Sequence, residues 1–120
     1  NLLGLVAAEA AYEHGEEWLQ AQLDYLRGNR DLVTSTLGNL PGIKIAKLEA
    51  TYLAWIDVSG LQLDDPIAIF EAGGVGLSAG AQFGDKRFVR LNFGCSRPLL
   101  QQALDRMVKV IQSARLVVTQ

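Results

Sequence analysis

A short segment with alternating side chains, residues 88–93, constrains the fold of this chain more than any other feature. Successive side chains of a β-strand point to opposite faces, so an apolar set would share one face and Arg90 would lie on the other. The apolar set is Val89, Leu91 and Phe93, and the companions of Arg90 are Phe88 and Asn92. Ser96 and Pro98 follow directly, and both are typical of a helix start. The sequence therefore predicts a strand that turns at once into a helix.

Three further helices are predicted ahead of this strand. Residues 2–13 are apolar and rich in alanine, which favours a helix. The spacing of apolar residues predicts a second helix over 16–37, which glycine, asparagine and proline then stop. A short helix is expected over 65–72, with Asp64 as its N-cap. The tail, residues 116–120, follows the last helix and is left unassigned.

The remaining β structure is predicted over residues 43–58. Its second half, 51–58, is rich in aromatic and β-branched residues and apolar on both faces, which indicates a central strand. Tyr52 and Trp55 are interpreted as core residues rather than as residues that stack on a ligand. The segment 73–84 holds five glycines in twelve positions, which predicts a loop or a short strand with tight turns.

The order of these elements predicts the fold class. Few strands and several helices along the chain are typical of a small sheet covered by helices. We therefore expect an α+β two-layer sandwich with a sheet of three or four strands. The chain has 120 residues, enough for a single domain, residues 1–120, with one hydrophobic core.

The composition argues against several kinds of partner. Eleven basic residues stand against thirteen acidic ones without a dense basic cluster, so no nucleic-acid partner is expected. No apolar run approaches the roughly 20 residues of a membrane helix, so no membrane partner is expected either. Cys95 and His14 are the only residues of their types, which leaves neither a disulfide nor a metal site. Cys95 is interpreted as a packing residue, and a lone cysteine fits a reducing, cytoplasmic compartment.

Arg90 is the residue that carries a chemical hypothesis. A planar guanidinium on a rigid strand suits the bidentate binding of a carboxylate, and Asn92 on the same face is a second candidate for such an anion site. From the pattern alone, a strand with one solvent-facing side is the stronger explanation of both residues, because arginine is usually exposed. Both interpretations stay open from the residues alone.

Four stretches, taken together, resemble a known family. They are the helix pair with Gly15–Leu19 and Tyr25–Asn29, the strand Thr51–Asp57, the glycine-rich loop Gly76–Gly84, and the terminal run Phe88–Arg97. Their order and spacing resemble the small domain of class I/II aminotransferase-like enzymes. The amino-acid sequence of the terminal run is similar to that of the cystathionine β-lyase group within that family.

The resemblance implies a fold-type-I enzyme that uses pyridoxal phosphate. It implies that this chain is the C-terminal small domain, with residues 1–15 near the interdomain helix. A large domain upstream would hold the cofactor on a lysine, so this chain would contain neither catalytic nor cofactor-binding residues. Arg90 would bind the α-carboxylate of an amino-acid substrate, with Asn92 as a second candidate, and the loop 76–84 would lie near the substrate entrance.

The implied reaction is the β-elimination of a thiol, which gives pyruvate and ammonia, in a homodimeric enzyme. The resemblance also leaves room for an aminotransferase, because lyases and aminotransferases of this family share the arginine that binds the substrate α-carboxylate. A regulator with an aminotransferase-like domain and a stand-alone anion-binding domain are further alternatives. If the large domain is missing, we expect exposed apolar surface on the helix over 2–13, or a dimer that covers it.

Overall fold

The computed structural model describes residues 1–118, and it describes side-chain surroundings as far as Ala114. The four helices are α1 Leu2–His14, α2 Glu16–Leu37, α3 Pro66–Ala72 and α4 Arg97–Val118. The four strands are β1 Lys44–Ile45, β2 Leu53–Asp57, β3 Ser78–Ala79 and β4 Phe88–Asn92. Two short 3₁₀ turns cover Ser59–Leu61 and Gly80–Phe83. Of the unassigned tail, Thr119 and Gln120 lie outside the described residues.

The strands form one antiparallel sheet with the order β1-β2-β4-β3. The central position predicted for the strand after residue 51 is therefore confirmed, and β4 is the second central strand. The prediction of β structure throughout 43–58 is too broad, because residues 46–52 lie between β1 and β2 outside the sheet. Thr51 has a φ of +66°, a left-handed conformation that interrupts an extended strand just before β2 begins.

Helices α2 and α4 pack on one face of the sheet, and the core lies between these layers. Val89, Leu91 and Phe93 are buried there, whereas Arg90 and Phe88 are half-buried and Asn92 is exposed on the other face. The alternation predicted for this strand is thus confirmed. The core partners from the helices are Val33, Leu37, Leu100, Leu104, Met107 and Ile111. The α+β class with a four-stranded sheet is confirmed as well.

The short helix α3 begins one residue later than the sequence suggests. Its N-cap is Asp65, whose carboxylate accepts a hydrogen bond from the backbone N–H of Ala68 at 3.1 Å. The prediction of Asp64 as the cap was wrong. Pro66 occupies the first helical position, where its fixed φ fits the helix and its missing N–H costs nothing, so the residue directly before it becomes the cap.

Helix α1 buries none of its own residues in this chain. Leu2, Leu3 and Leu5 are between 69% and 80% exposed, and Val6 is 53% exposed. The exposed apolar surface expected on this helix is therefore present. Within residues 1–118, no helix combines the length and the apolar composition that a membrane span needs.

A buried asparagine on α2 fixes the turn between β4 and α4. Asn29 is fully buried, and its Nδ2 donates to the carbonyl oxygens of Phe93 and Cys95, both at 2.9 Å. Its Oδ1 accepts a hydrogen bond from Nε of Arg97 at 3.0 Å. A single side chain thus serves as the hydrogen-bond partner of two carbonyl oxygens and of one guanidinium N–H group.

Arg97 completes this connection on the neighbouring turn of α2. Its Nη2 donates to the carbonyl of Tyr25 at 3.0 Å, and its guanidinium lies 4.7 Å from the centre of the Tyr25 ring. The Tyr25 hydroxyl in turn accepts the backbone N–H of Arg97 at 2.7 Å. Gly28 leaves room for this arrangement, because a Cβ at that position would collide with Nη2 of Arg97. Arg97 is therefore engaged within the fold and is not a free cation.

We predict that Asn29→Ala lowers the free energy of unfolding by about 2–3 kcal/mol, because one buried carbonyl, one partly buried carbonyl and one charged donor each lose a hydrogen bond. Asn39→Ala, at an exposed position, is the matched control and should change it by less than about 0.5 kcal/mol. Urea denaturation of the purified variants measures both values. Equal stability of the two variants would contradict the structural role of Asn29.

Candidate functional site

Arg90 lies at the centre of the sheet face that the core does not use. It pairs with Trp55 on β2 and with Ser78 on β3, and all three side chains share this face. Nη2 of Arg90 is 3.4 Å from the Ser78 hydroxyl oxygen, a long hydrogen bond. The guanidinium carbon lies 4.2 Å from the centre of the Phe83 ring, which is cation–π geometry. Two neighbours therefore contact the guanidinium of Arg90: Ser78 through a long hydrogen bond and Phe83 through its ring.

The charge of Arg90 differs from that of the other arginines in having no fixed partner. Arg27, Arg30 and Arg87 form ion pairs with carboxylates, and Arg97 and Arg106 donate to backbone carbonyls. Among the arginines whose side chains the structure describes, Arg90 alone makes neither kind of contact. A half-buried cation with one weak hydroxyl partner can accept a carboxylate without first giving up another one.

Three aromatic side chains surround the arginine on this face. Trp55 stacks on Phe88 with the ring centres 5.0 Å apart and the planes 9° apart. Phe83 meets Trp55 edge to face at 5.9 Å and 83°. The interpretation of Trp55 as a core residue was wrong, because its pairing with Arg90 puts it on the opposite face, where it is half-buried. Tyr52 is not a core residue either, with 49% of its surface exposed just before β2.

Asn92 lies on the same face at the end of β4, opposite Leu53 of β2. Its Oδ1 accepts the backbone N–H of Gly94 at 2.8 Å, so the carboxamide oxygen closes the turn after the strand. This contact gives Asn92 a local structural role. Its part in anion binding stays a prediction.

The loop after β3 carries Phe83 to Arg90 through a tight turn at Gly80. A Cβ at Gly80 would collide with the carbonyl oxygens of Phe88 and Asp85, so only glycine fits between them. The backbone N–H of Asp85 returns to the Gly80 carbonyl at 3.1 Å. The predicted glycine-rich loop is thus a short strand followed by a 3₁₀ turn, and it lies against the site rather than away from it.

An ion pair closes the other side of this loop. Nε and Nη2 of Arg87 donate to the Asp85 carboxylate at 3.0 and 2.6 Å, and Oδ1 of Asp85 also accepts the backbone N–H of Arg87 at 3.0 Å. These hydrogen bonds lower the pKa of Asp85 to about 2. Arg87, which lies three residues before Arg90 and just outside β4, therefore already has a carboxylate partner, whereas Arg90 has none among the described residues.

The chain offers little for anchoring a cofactor or a metal ion. All four lysines, Lys44, Lys47, Lys86 and Lys109, are exposed. No group of three or more His, Cys, Asp or Glu residues comes together in the described part of the chain. Cys95 is half-buried and packs against the core, which confirms its interpretation as a packing residue. Arg90 with its neighbours Ser78 and Phe83 therefore remains the candidate site, and anion binding there stays a prediction.

Comparisons with known proteins bear on what this surface serves. No protein-family model matches the chain. It is 40% identical to a cystathionine β-lyase of Corynebacterium glutamicum over 114 residues, which are 92% of this chain and 31% of that protein. Two solved structures are also similar. OvoB shares 52% identity with a TM-score of 0.86 over 90% of this chain and 28% of its own. The pyridoxal-phosphate-bound C–S lyase of Staphylococcus hominis shares 32% with a TM-score of 0.84 over 92% and 31%.

The fold and these similarities define the class: the chain shares the aminotransferase-like fold of pyridoxal-phosphate-dependent enzymes. Over about nine-tenths of its own length, the chain is similar to proteins named cystathionine β-lyase, at 35–40% identity, in agreement with the sequence resemblance. The chain spans only about 30% of the length of the relatives it matches. The comparisons concern the family, so the role of Arg90 stays a prediction.

The sequence identified Arg90 but not the residues that hold it. Phe83 was visible only as one apolar residue in a glycine-rich segment, and Trp55 as one of several aromatic residues in a strand. The register of β2 against β4 brings Trp55 beside Arg90, and the turn after β3 brings Phe83 there. Alternation within one strand cannot supply this cross-strand information.

We predict that Gly80→Ala destabilises the protein by about 1–3 kcal/mol, because the added methyl group must displace two backbone carbonyls. Gly76→Ala in the same segment is the matched control, since no atom lies within 4 Å of the position that its methyl group would take. Thermal unfolding of the two variants measures the difference. Equal melting temperatures would refute the close packing at Gly80.

We further predict a pH-dependent contribution from Asp85. Its pKa lies below the usual 3.8, at about 2, so its ion pair stabilises the folded loop fully above pH 4 and loses this effect as the pH falls toward 2. Asp85→Asn should therefore be less stable than the wild type at neutral pH, and the gap should narrow below pH 4. Denaturant titrations between pH 7 and pH 2.5 measure the gap, which a constant value across this range would contradict.

Proposed function

We propose that this chain is the C-terminal small domain of a pyridoxal-phosphate-dependent carbon–sulfur β-lyase, and that Arg90 binds the α-carboxylate of its amino-acid substrate. One observation carries the proposal. Arg90 is half-buried at the centre of a rigid sheet, held by Phe83 and Ser78, and has no carboxylate partner among the described residues. The sheet thus presents a positioned cation for an anion that comes from outside the chain.

The guanidinium suits this task better than an ammonium would. Its fork of N–H donors matches the two oxygens of a carboxylate, so binding also fixes the orientation of the substrate. Such orientation aligns the bonds around Cα with the reacting groups. Pyridoxal phosphate, where bound, supplies the electron sink for loss of the Cα proton and departure of the β-thiolate. The overall products would be a thiol, pyruvate and ammonia.

The cofactor and its lysine would belong to other parts of the protein. The four exposed lysines of this chain do not offer the enclosed site that a cofactor-bound lysine needs. The large domain of the same polypeptide would supply it, and the exposed apolar face of α1 is suited to contact that domain. We also propose a cytoplasmic homodimer, in keeping with the single half-buried cysteine.

Two further residue groups are proposed to serve the same site. Asn92 faces the same side as Arg90 and is the second candidate for contact with the carboxylate. The loop 76–84 contributes Ser78 and Phe83 to the surroundings of Arg90, which supports its proposed location at the substrate entrance.

The curated relatives support a lyase as the parent enzyme, and an assay must separate it from an aminotransferase. Proteins named cystathionine β-lyase are up to 40% identical to this chain, and the aspartate/prephenate aminotransferase of Nitrosomonas europaea is 26% identical. The solved structure of a putative aminotransferase from Clostridium difficile is 39% identical, so identity alone does not separate the two reactions. The assay that separates the two reactions mixes the full-length protein with L-cystathionine. Release of pyruvate without a keto-acid acceptor supports the lyase, and amino-group transfer that requires such an acceptor overturns it.

We predict that Arg90→Lys in the full-length enzyme raises KM and lowers kcat/KM at least tenfold, since lysine keeps the charge but loses the fork. This corresponds to the loss of a charge-assisted hydrogen bond of roughly 1.5–3 kcal/mol. Arg27→Lys is the matched control, because Arg27 is an exposed residue of α2 paired with Asp24. The steady-state kinetics of pyruvate release measure both variants, and unchanged kinetics for Arg90→Lys would rule out the assigned role.

A further inference from the structure

The contact between Phe83 and Arg90 points to a role for Phe83 in addition to the proposed binding of a carboxylate by Arg90. We propose that Phe83 is a positioning residue, whose ring holds the guanidinium of Arg90 in the plane that receives a carboxylate. This inference rests on the proposed function of Arg90. It adds a residue of the glycine-rich loop that acts through Arg90 rather than on the substrate.

The geometry restricts the guanidinium in two directions. The guanidinium carbon of Arg90 lies over the ring of Phe83, 4.2 Å from the ring centre. Ser78 touches the edge of the guanidinium through Nη2 at 3.4 Å. The N–H donors lie in the guanidinium plane by resonance, and a ring contact on the group restricts how that plane can turn relative to an approaching bidentate acceptor. A flexible arginine would have to lose its rotamer freedom when the carboxylate binds, and this restriction removes much of that loss in advance.

The ring of Phe83 is itself fixed by the structure around it. Its edge-to-face contact with Trp55 orients it, and Trp55 is held by stacking on Phe88. The turn that carries Phe83 starts at Gly80, which fits closely against the backbone. The aromatic contacts therefore connect the loop to the strand that bears the arginine.

The exposure of Phe83 argues that this ring is not there for packing alone. It is 50% exposed and is not one of the buried core residues. Its replacement by another apolar residue should therefore cost little stability. The replacement removes the aromatic ring from Arg90, a cation without a carboxylate partner among the described residues.

The test measures carboxylate binding apart from turnover. Propionate, which carries a carboxylate and no amino group, is titrated calorimetrically into the full-length protein. Phe83→Leu should weaken propionate binding about three- to tenfold, the range expected for one partly exposed cation–π contact. Phe83→Tyr keeps the aromatic face and should stay within about twofold of the wild type. Leu99→Ala, at an exposed residue of α4, is the control and should bind like the wild type.

A double variant separates positioning from a general structural effect. In an Arg90→Lys background, Phe83→Leu should cause no further loss of propionate affinity, because the plane that the ring holds is gone. The same factor of loss in both backgrounds, or a Tyr variant as weak as the Leu variant, would overturn the role of Phe83. If Arg90→Lys weakens binding and Phe83→Leu does not, only the role of Phe83 falls. If Arg90→Lys binds propionate like the wild type, the proposed function of Arg90 falls with it.

Discussion

The hydrogen bonds of Asn29 are the constraint on which the site depends. Without Asn29, the carbonyl oxygens of Phe93 and Cys95 in the turn after β4 would lose the hydrogen bonds that they accept from helix α2. Asn29 ties that turn to the helix, and Arg97 joins the same network from the start of α4. The strand that carries Arg90 is thereby held at its end by polar contacts, which are directional in a way that apolar packing is not.

Two arginines seven residues apart, Arg90 and Arg97, differ in the partners of their guanidinium groups. Arg97 donates to Tyr25 and Asn29, so its charge is used within the fold. Arg90 lies on the other side of the sheet with Phe83 and Ser78 as its neighbours, so its charge remains available. A sequence that contains both shows two similar residues seven positions apart, and only their partners reveal which of them is free.

The sequence predicted the parts of this molecule that depend on local pattern. Alternation assigned the faces of β4 correctly, and the helix signals after Ser96 placed α4. Features that depend on pairing or on one backbone angle were missed. The left-handed Thr51 shortened the predicted β region, and Trp55 faced the site because of its register with Arg90. Periodicity reports burial along one element, whereas a site is assembled across several.

An arginine without a carboxylate partner on a half-buried strand is unfavourable by itself, because part of its hydration is lost without a compensating ion pair. The aromatic face of Phe83 offsets some of this cost without neutralising the charge, as a carboxylate from within the chain would. An aspartate beside Arg90 would neutralise this charge, and Asp85 pairs with Arg87 in that way three residues before Arg90 in the sequence. A ring contacts one arginine and a carboxylate contacts the other, so Arg90 keeps the charge without a carboxylate partner that its proposed role in anion binding requires.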